Sequence, residues 1–160
     1  MTNFEVSINR LLKSEGGYTS NPNDPGGETN WGISKRSYPN LNIKDLTRDQ
    51  AVALYKRDFW DRLKLENLPL GVAYQILDFA VNSGAGVAIR TLQKAIGVAD
   101  DGVIGDHTMA AFKAIEPHDL IMRFTAERMI FMTNCAGWPT FSKGWMRRLA
   151  ANLKIGADDV

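Results

Sequence analysis

One cysteine and two histidines are all that this 160-residue chain holds of the side chains most used to bind transition metals. Cys135 alone can form neither an internal disulfide nor a cysteine-rich zinc site. His107 and His118 are too few and too badly spaced for an HExxH helix or a two-histidine centre, so neither a metal nor a cofactor is expected. Charge of one sign is also missing: 19 Lys+Arg against 18 Asp+Glu leave +1, which provides no basic field for nucleic acid. A chain with 44% hydrophobic residues is not the apolar-poor kind that stays disordered. No long apolar run occurs; the most apolar stretch, Leu70 to Val81, is short and contains Gln75 and Asp78, so no membrane span is predicted. Glu5 and Arg10 interrupt the N-terminal region where a secretory signal needs an unbroken apolar core. Synthesis in the cytoplasm is the expectation.

What is present fits one compact domain or two small lobes sharing a core. The near-zero net charge hides an asymmetry. Residues 1–120 hold 13 Lys+Arg and 15 Asp+Glu, for −2, whereas residues 121–160 hold 6 against 3, for +3. A basic C-terminal end suits an anionic polymer or a membrane surface, and equally suits a solvated helix face.

The pattern along the chain is mainly helical. Phe4, Ile8, Leu11 and Leu12 recur at helical spacing behind a Thr2–Glu5 capping box, and Gly16-Gly17 stops that helix. From Tyr18 to about Leu46 the composition turns to Asn, Pro, Gly, Ser and Thr, a long loop with room for a short β-hairpin. Tyr18, Trp31, Ile33 and Tyr38 anchor it. A second capping box, Thr47–Gln50, opens a helix with Val52, Tyr55 and Phe59 on one face. Leu70–Asn82 is apolar nearly all round and reads as a buried central helix, ended by Gly84 and Gly86. Helices follow over 85–96, near 108–115 with Asp106 as its cap, from Pro117 through Met132, and after Gly137-Trp138-Pro139 with Trp145, Leu149 and Leu153 inward. Without βαβ alternation the class is mainly α.

One region combines carboxylates, glycines and hydroxyls: Glu15-Gly16-Gly17-Tyr18, then Asn23 to Ile33. Glu15 comes at the end of the first helix, where the negative end of the helix dipole raises a carboxyl pKa, as a general acid near neutral pH requires. Eight residues separate it from Asp24, enough for the chain to turn and set the two across a cleft, and Thr29 follows five residues later with a hydroxyl for a water. Paired carboxyls with a held water are the apparatus of glycoside hydrolysis. A helix C-cap at Glu15, a turn at Asp24-Pro25-Gly26-Gly27 and an idle loop hydroxyl at Thr29 are the structural alternatives.

At these residues the chain resembles the lysozyme-like N-acetylmuramidases of glycoside hydrolase family 108, common among phage and prophage endolysins. The resemblance runs through Glu15–Tyr18, Asn23-Asp24-Pro25-Gly26-Gly27-x-Thr29, Trp31-Gly32-Ile33, Tyr55, Trp60 and Asp78–Gly84. Leu92-Gln93, Gly97 and Asp101–Gly105 with Thr108 are similar to the family's peptidoglycan-binding segment, so the likeness covers about residues 5 to 150. It implies a lysozyme-like helical fold, with a catalytic segment over 1–92 and a binding-like helical segment over 93–160 packed into one globule. It also implies hydrolysis of the β-1,4 bond between N-acetylmuramic acid and N-acetylglucosamine in bacterial peptidoglycan, with Glu15 as general acid. Asp24 and Thr29 are similar to the Glu–Asp–Thr arrangement of phage T4-type lysozymes, but one residue closer together, and Glu28 competes for the second role. An inverting reaction is expected, with carboxyls about 6.5–9.5 Å apart. The protein is expected to act as a monomer on the cell wall, reaching the periplasm through a phage holin.

Several residues keep two readings. Tyr18 and Trp31 suit stacking on sugar rings and also pinning of the loop; Asn82 suits an N-acetyl contact and also a helix end. Asp78 reads as a buried, partnered structural acid, and Cys135 as a small core residue. Trp138 and Trp145 beside Arg147 and Arg148 read as a wall-facing patch or as core. Competing functions are a lytic transglycosylase, which leaves anhydro-muramyl ends, a non-catalytic wall-binding module, and a peptidase pairing Cys135 with His107 or His118.

Overall fold

Thr2 and Glu5 start the first helix by satisfying each other's backbone: the Thr2 N–H donates to Glu5 Oε2 at 2.7 Å, and the Glu5 N–H to Thr2 Oγ1 at 3.2 Å. The computed structural model describes residues 1–14, 17–20 and 27–159. They form two compact units, Met1–Arg62 and Leu63–Val160. Seven α-helices and one three-stranded antiparallel sheet carry most of the regular structure of the described residues, a mainly α architecture.

In the first unit, α1 (Asn3–Ser14) buries Phe4, Ile8, Leu11 and Leu12, the stripe its spacing predicts. The long loop folds as β1 (Thr19–Ser20), β2 (Glu28–Asn30) and β3 (Ile33–Ser34), one strand more than a hairpin. Thr47 caps α2 (Arg48–Tyr55) in the expected capping box with Gln50. The chain then widens into a π-helical turn, Lys56–Asp61. A π turn takes an extra residue, so the helical phase slips by one position. Trp60, not Phe59, therefore enters the core, fully buried and edge-on to Phe4 at 5.3 Å between ring centroids. Simple 3.6-residue periodicity misses that slip.

In the second unit α3 (Leu70–Ser83) is buried at every position from 71 to 80, as an all-round apolar helix must be. Gly84, at φ 93°, separates it from α4 (Ala85–Ile96); Gly86 falls inside α4 and ends nothing. Next come α5 (Asp106–Lys113), α6 (Pro117–Thr133) and α7 (Trp138–Asp158). The N-cap of α5 is Gly105, so Asp106 is the first helical residue and does not cap it. Pro117 opens α6 as expected, and Glu116 caps it by accepting from the His118 and Asp119 N–H groups. Asp78, on α3, is 1% exposed and fully engaged: it accepts from Arg128 Nη2 at 2.7 Å, Arg148 Nε at 2.8 Å and Asn152 Nδ2 at 2.6 Å. It is the partnered structural acid expected of a carboxylate in an apolar helix. Trp138, Phe141 and Trp145 cluster at the start of α7, with ring centroids about 6 Å apart.

The segment after α4 is a loop tied to one buried amide. Gln93 donates to Asp101 Oδ1 at 2.7 Å and to the Val103 carbonyl at 3.0 Å, and accepts from the Gly102 N–H at 2.8 Å. The Val103 N–H, and then Gln93, hold the Asp101 carboxyl below its ordinary range. Among the described residues no helix is long and apolar enough to cross a membrane.

Candidate active site

The sheet of the first unit carries most of the described site residues. Thr29 lies in its central strand, opposite Thr19 on one side and Ser34 on the other. Asn30 is buried, and strand alternation puts Thr29 on the other face. Directly opposed residues share a face, so Thr19, Thr29 and Ser34 set three hydroxyls in a row across the sheet. Ser34 Oγ also meets Ser37 Oγ at 3.0 Å. Such a row offers donors and acceptors to water or to a sugar.

Asn30 fastens the sheet from below. Its Nδ2 lies 3.1 Å from the Ile43 carbonyl and 3.3 Å from those of Lys44 and Leu46. The turn from β2 to β3 is Trp31-Gly32, both at positive φ (53° and 76°), which a tight two-residue hairpin requires. Trp31 is an unusual residue for the left-handed region, and two hydrogen bonds hold it there. Its Nε1 donates to the Leu46 carbonyl at 3.0 Å, and its carbonyl accepts from the Tyr55 hydroxyl at 2.9 Å. Trp31 thus does pin the loop, with its indole N–H committed to the backbone.

Tyr18 is 40% exposed, and its hydroxyl donates to Glu28 Oε1 at 3.0 Å across the β1–β2 pair. Glu28 is thereby oriented by an aromatic neighbour. Nearby in sequence, the Tyr38 hydroxyl donates to Asp58 Oδ2 at 2.6 Å. Burial and then Asp58 push the Tyr38 phenol up, while Arg57 holds the Asp58 carboxyl down. Neither partnership is visible in sequence, because 10 and 20 residues separate the partners.

Of the predicted site residues, Tyr18, Glu28, Thr29 and Trp31 come together on this sheet. Glu15 and Asp24 lie outside the described residues. Asn82 belongs to the second unit, exposed near the end of α3, with its Nδ2 donating to the Asp78 carbonyl at 2.7 Å. Among the described residues no group of three His, Cys, Asp or Glu side chains is placed to hold a metal ion.

The profile of the Glycosyl hydrolase 108 family matches residues 8–84, a span that includes Glu15, Asp24, Thr29 and Asn82. The solved structure of Brucella abortus SagA is 32% identical, with 98% of this chain and 94% of that chain covered at a TM-score of 0.89. The chain belongs to the glycosyl hydrolase 108 family. Its fold is lysozyme-like, and at the level the family fixes it is a glycoside hydrolase of peptidoglycan. Among the curated proteins there is no match. Within this family the sheet just described falls inside the matched span, while 85–160 is related through the structural likeness.

Proposed function

We propose that this hydrolase is an N-acetylmuramidase that cleaves the β-1,4 bond between N-acetylmuramic acid and N-acetylglucosamine by a single, inverting displacement. The observation that carries the reading is the family match over residues 8–84, which takes in Glu15, Asp24 and Thr29 together. Glu15 follows the last residue of α1, whose basic last turn ends at Lys13 and Ser14. As general acid it protonates the leaving glycosidic oxygen. Asp24 and Thr29 hold the attacking water on the opposite ring face. We assign Glu28 a supporting task, because its carboxylate is already engaged by Tyr18. Tyr18 and the hydroxyl row offer the sugar a stacking face and hydrogen bonds, and Asn82 offers one to an N-acetyl group. The basic C-terminal end, residues 121–160, favours the anionic wall. In biological terms the reading is a phage-type endolysin, monomeric, made in the cytoplasm and released to the wall through a holin.

The test is mass spectrometry of purified peptidoglycan digested by the wild type and by Glu15→Gln. Reducing muramic-acid ends from the wild type and none from the variant are expected. Anhydro-muramyl ends would instead mean a lytic transglycosylase, and free stem peptides or no products would overturn the reading.

A further inference from the structure

The widened turn at Lys56–Asp61 interrupts the helix that Thr47 opens, and π-helical turns of this kind are often found at functional sites. Two polar side chains at this one have long-range partners. Tyr55, the last residue of α2, and Asp58, inside the turn, stand three residues apart, and each binds one end of the segment that contains β3. The Tyr55 hydroxyl donates to the Trp31 carbonyl at 2.9 Å, just ahead of the strand. Asp58 Oδ2 accepts from the Tyr38 hydroxyl at 2.6 Å, just behind it.

Between the two ties the backbone turns twice. In the two-residue hairpin the ladder closes between Asn30 and Ile33, which leaves the first turn carbonyl, that of Trp31, to partners outside the ladder. Trp31 is held there at φ 53°, a position that Asn, Asp or Gly ordinarily fills. Strain of this kind persists only where the surroundings over-determine the backbone. The Tyr55 hydroxyl on its carbonyl and the Leu46 carbonyl on its indole Nε1 do so. Behind the strand, the Ser37 and Tyr38 N–H groups donate to the Ser34 carbonyl at 3.1 and 3.0 Å, and the Ser37 N–H also approaches Ser34 Oγ at 3.2 Å. Ser34 is the residue of the hydroxyl row directly opposite Thr29.

We propose that Tyr55 and Asp58 are positioning residues for glycan cleavage: by clamping β3 at both ends they fix Ser34 against Thr29, and with that pair the place of the attacking water. The proposal rests on the reading of Thr29 as a water-holding hydroxyl. Neither clamp residue touches the sugar; each acts through β3. Without a clamp the strand shifts on its partner, the Thr29 hydroxyl leaves the line of attack, and the chemical step slows while the glycan still binds.

The experiment compares wild type, Tyr55→Phe, Thr29→Ala and the double variant in release of soluble glycan fragments from purified peptidoglycan, at a temperature where circular dichroism shows each folded. Tyr55→Phe keeps the buried ring and removes only the hydroxyl. Its kcat is expected to fall about tenfold, with the half-saturating peptidoglycan concentration unchanged. In the Thr29→Ala background the same substitution costs under about twofold, since no hydroxyl is left to misplace. Asp58→Ala and Tyr38→Phe, which remove the second tie from either side, lower kcat in the same way. Thr47→Ala, which weakens α2 at its other end, leaves kcat as it is and so separates positioning from stability. A kcat within about twofold of wild type for either Tyr55→Phe or Asp58→Ala, or an equal loss from Tyr55→Phe with and without Thr29, would overturn the proposal. If Thr29→Ala itself lowers kcat in that case, the catalytic assignment of Thr29 stands alone. If Thr29→Ala leaves kcat unchanged, both fall.

Discussion

Replacing Asp78 by alanine is the most severe single change the second unit offers away from the proposed chemistry. Three side chains lose an acceptor at once: Arg128 and Asn152, each 3% exposed, and Arg148, whose side chain is 27% exposed. Hydrogen bonds to a charged group are each worth about 1.5–3 kcal/mol, but these three do not simply add, because the carboxylate's own desolvation cost disappears with it. What dominates is the Arg128 charge left buried and unpaired. Truncating one partner of a buried pair costs about 3–5 kcal/mol. Arg148 is partly exposed and rehydrates, which keeps the loss inside that range. For a chain of this size about 1 kcal/mol moves Tm by about 2–4 °C, so Asp78→Ala lowers Tm by roughly 6–20 °C. Urea unfolding followed by circular dichroism measures the loss directly. Asp78→Asn is expected to recover little, since its amide sets N–H donors against a guanidinium. A loss below about 1 kcal/mol for Asp78→Ala would refute the argument, for it would mean that Arg128 is effectively solvated.

Three further outcomes are expected. Thr47→Ala removes the hydroxyl half of the α2 capping box and costs about 1 kcal/mol in urea unfolding, with m unchanged. Asn30→Asp places a carboxylate against three backbone carbonyls; wall-lysis turbidity assays should show activity falling with sheet stability, whereas Asn30→Ala loses about 1–3 kcal/mol through lost bonds alone. The Asp58 carboxyl is held down in the folded state, so its contribution is present above the ordinary value of 3.8 and is lost as pH falls through its lower folded value. The gap in urea midpoint between wild type and Asp58→Asn should therefore shrink from pH 6 to pH 2.5, and a constant gap would contradict that assignment.

Both capping boxes, the α1 stripe and the Pro117 helix start were legible in the sequence because each depends on residues within one or two turns of one another. So was the buried α3, since an all-round apolar segment with one acid has few other places to go. The motif order that leads to the glycosyl hydrolase 108 family was likewise written in the chain. Tertiary structure decided what depends on partners far along the sequence. Asp78 finds its cations 50 and 70 residues later, so sequence could say that it is paired but not with what. Trp60 reaches the core through a π turn, and Trp31 occupies a left-handed turn held by Leu46 and Tyr55, against both its local preference and the usual turn signals. Cys135, expected in the core, instead lines a cavity that forms only when α3, α6 and α7 meet. Local hydrogen bonding and periodicity act over a few residues and survive in the linear code. Charge pairing, strained turns and cavities are properties of surfaces brought together, and they exist only after the chain has packed.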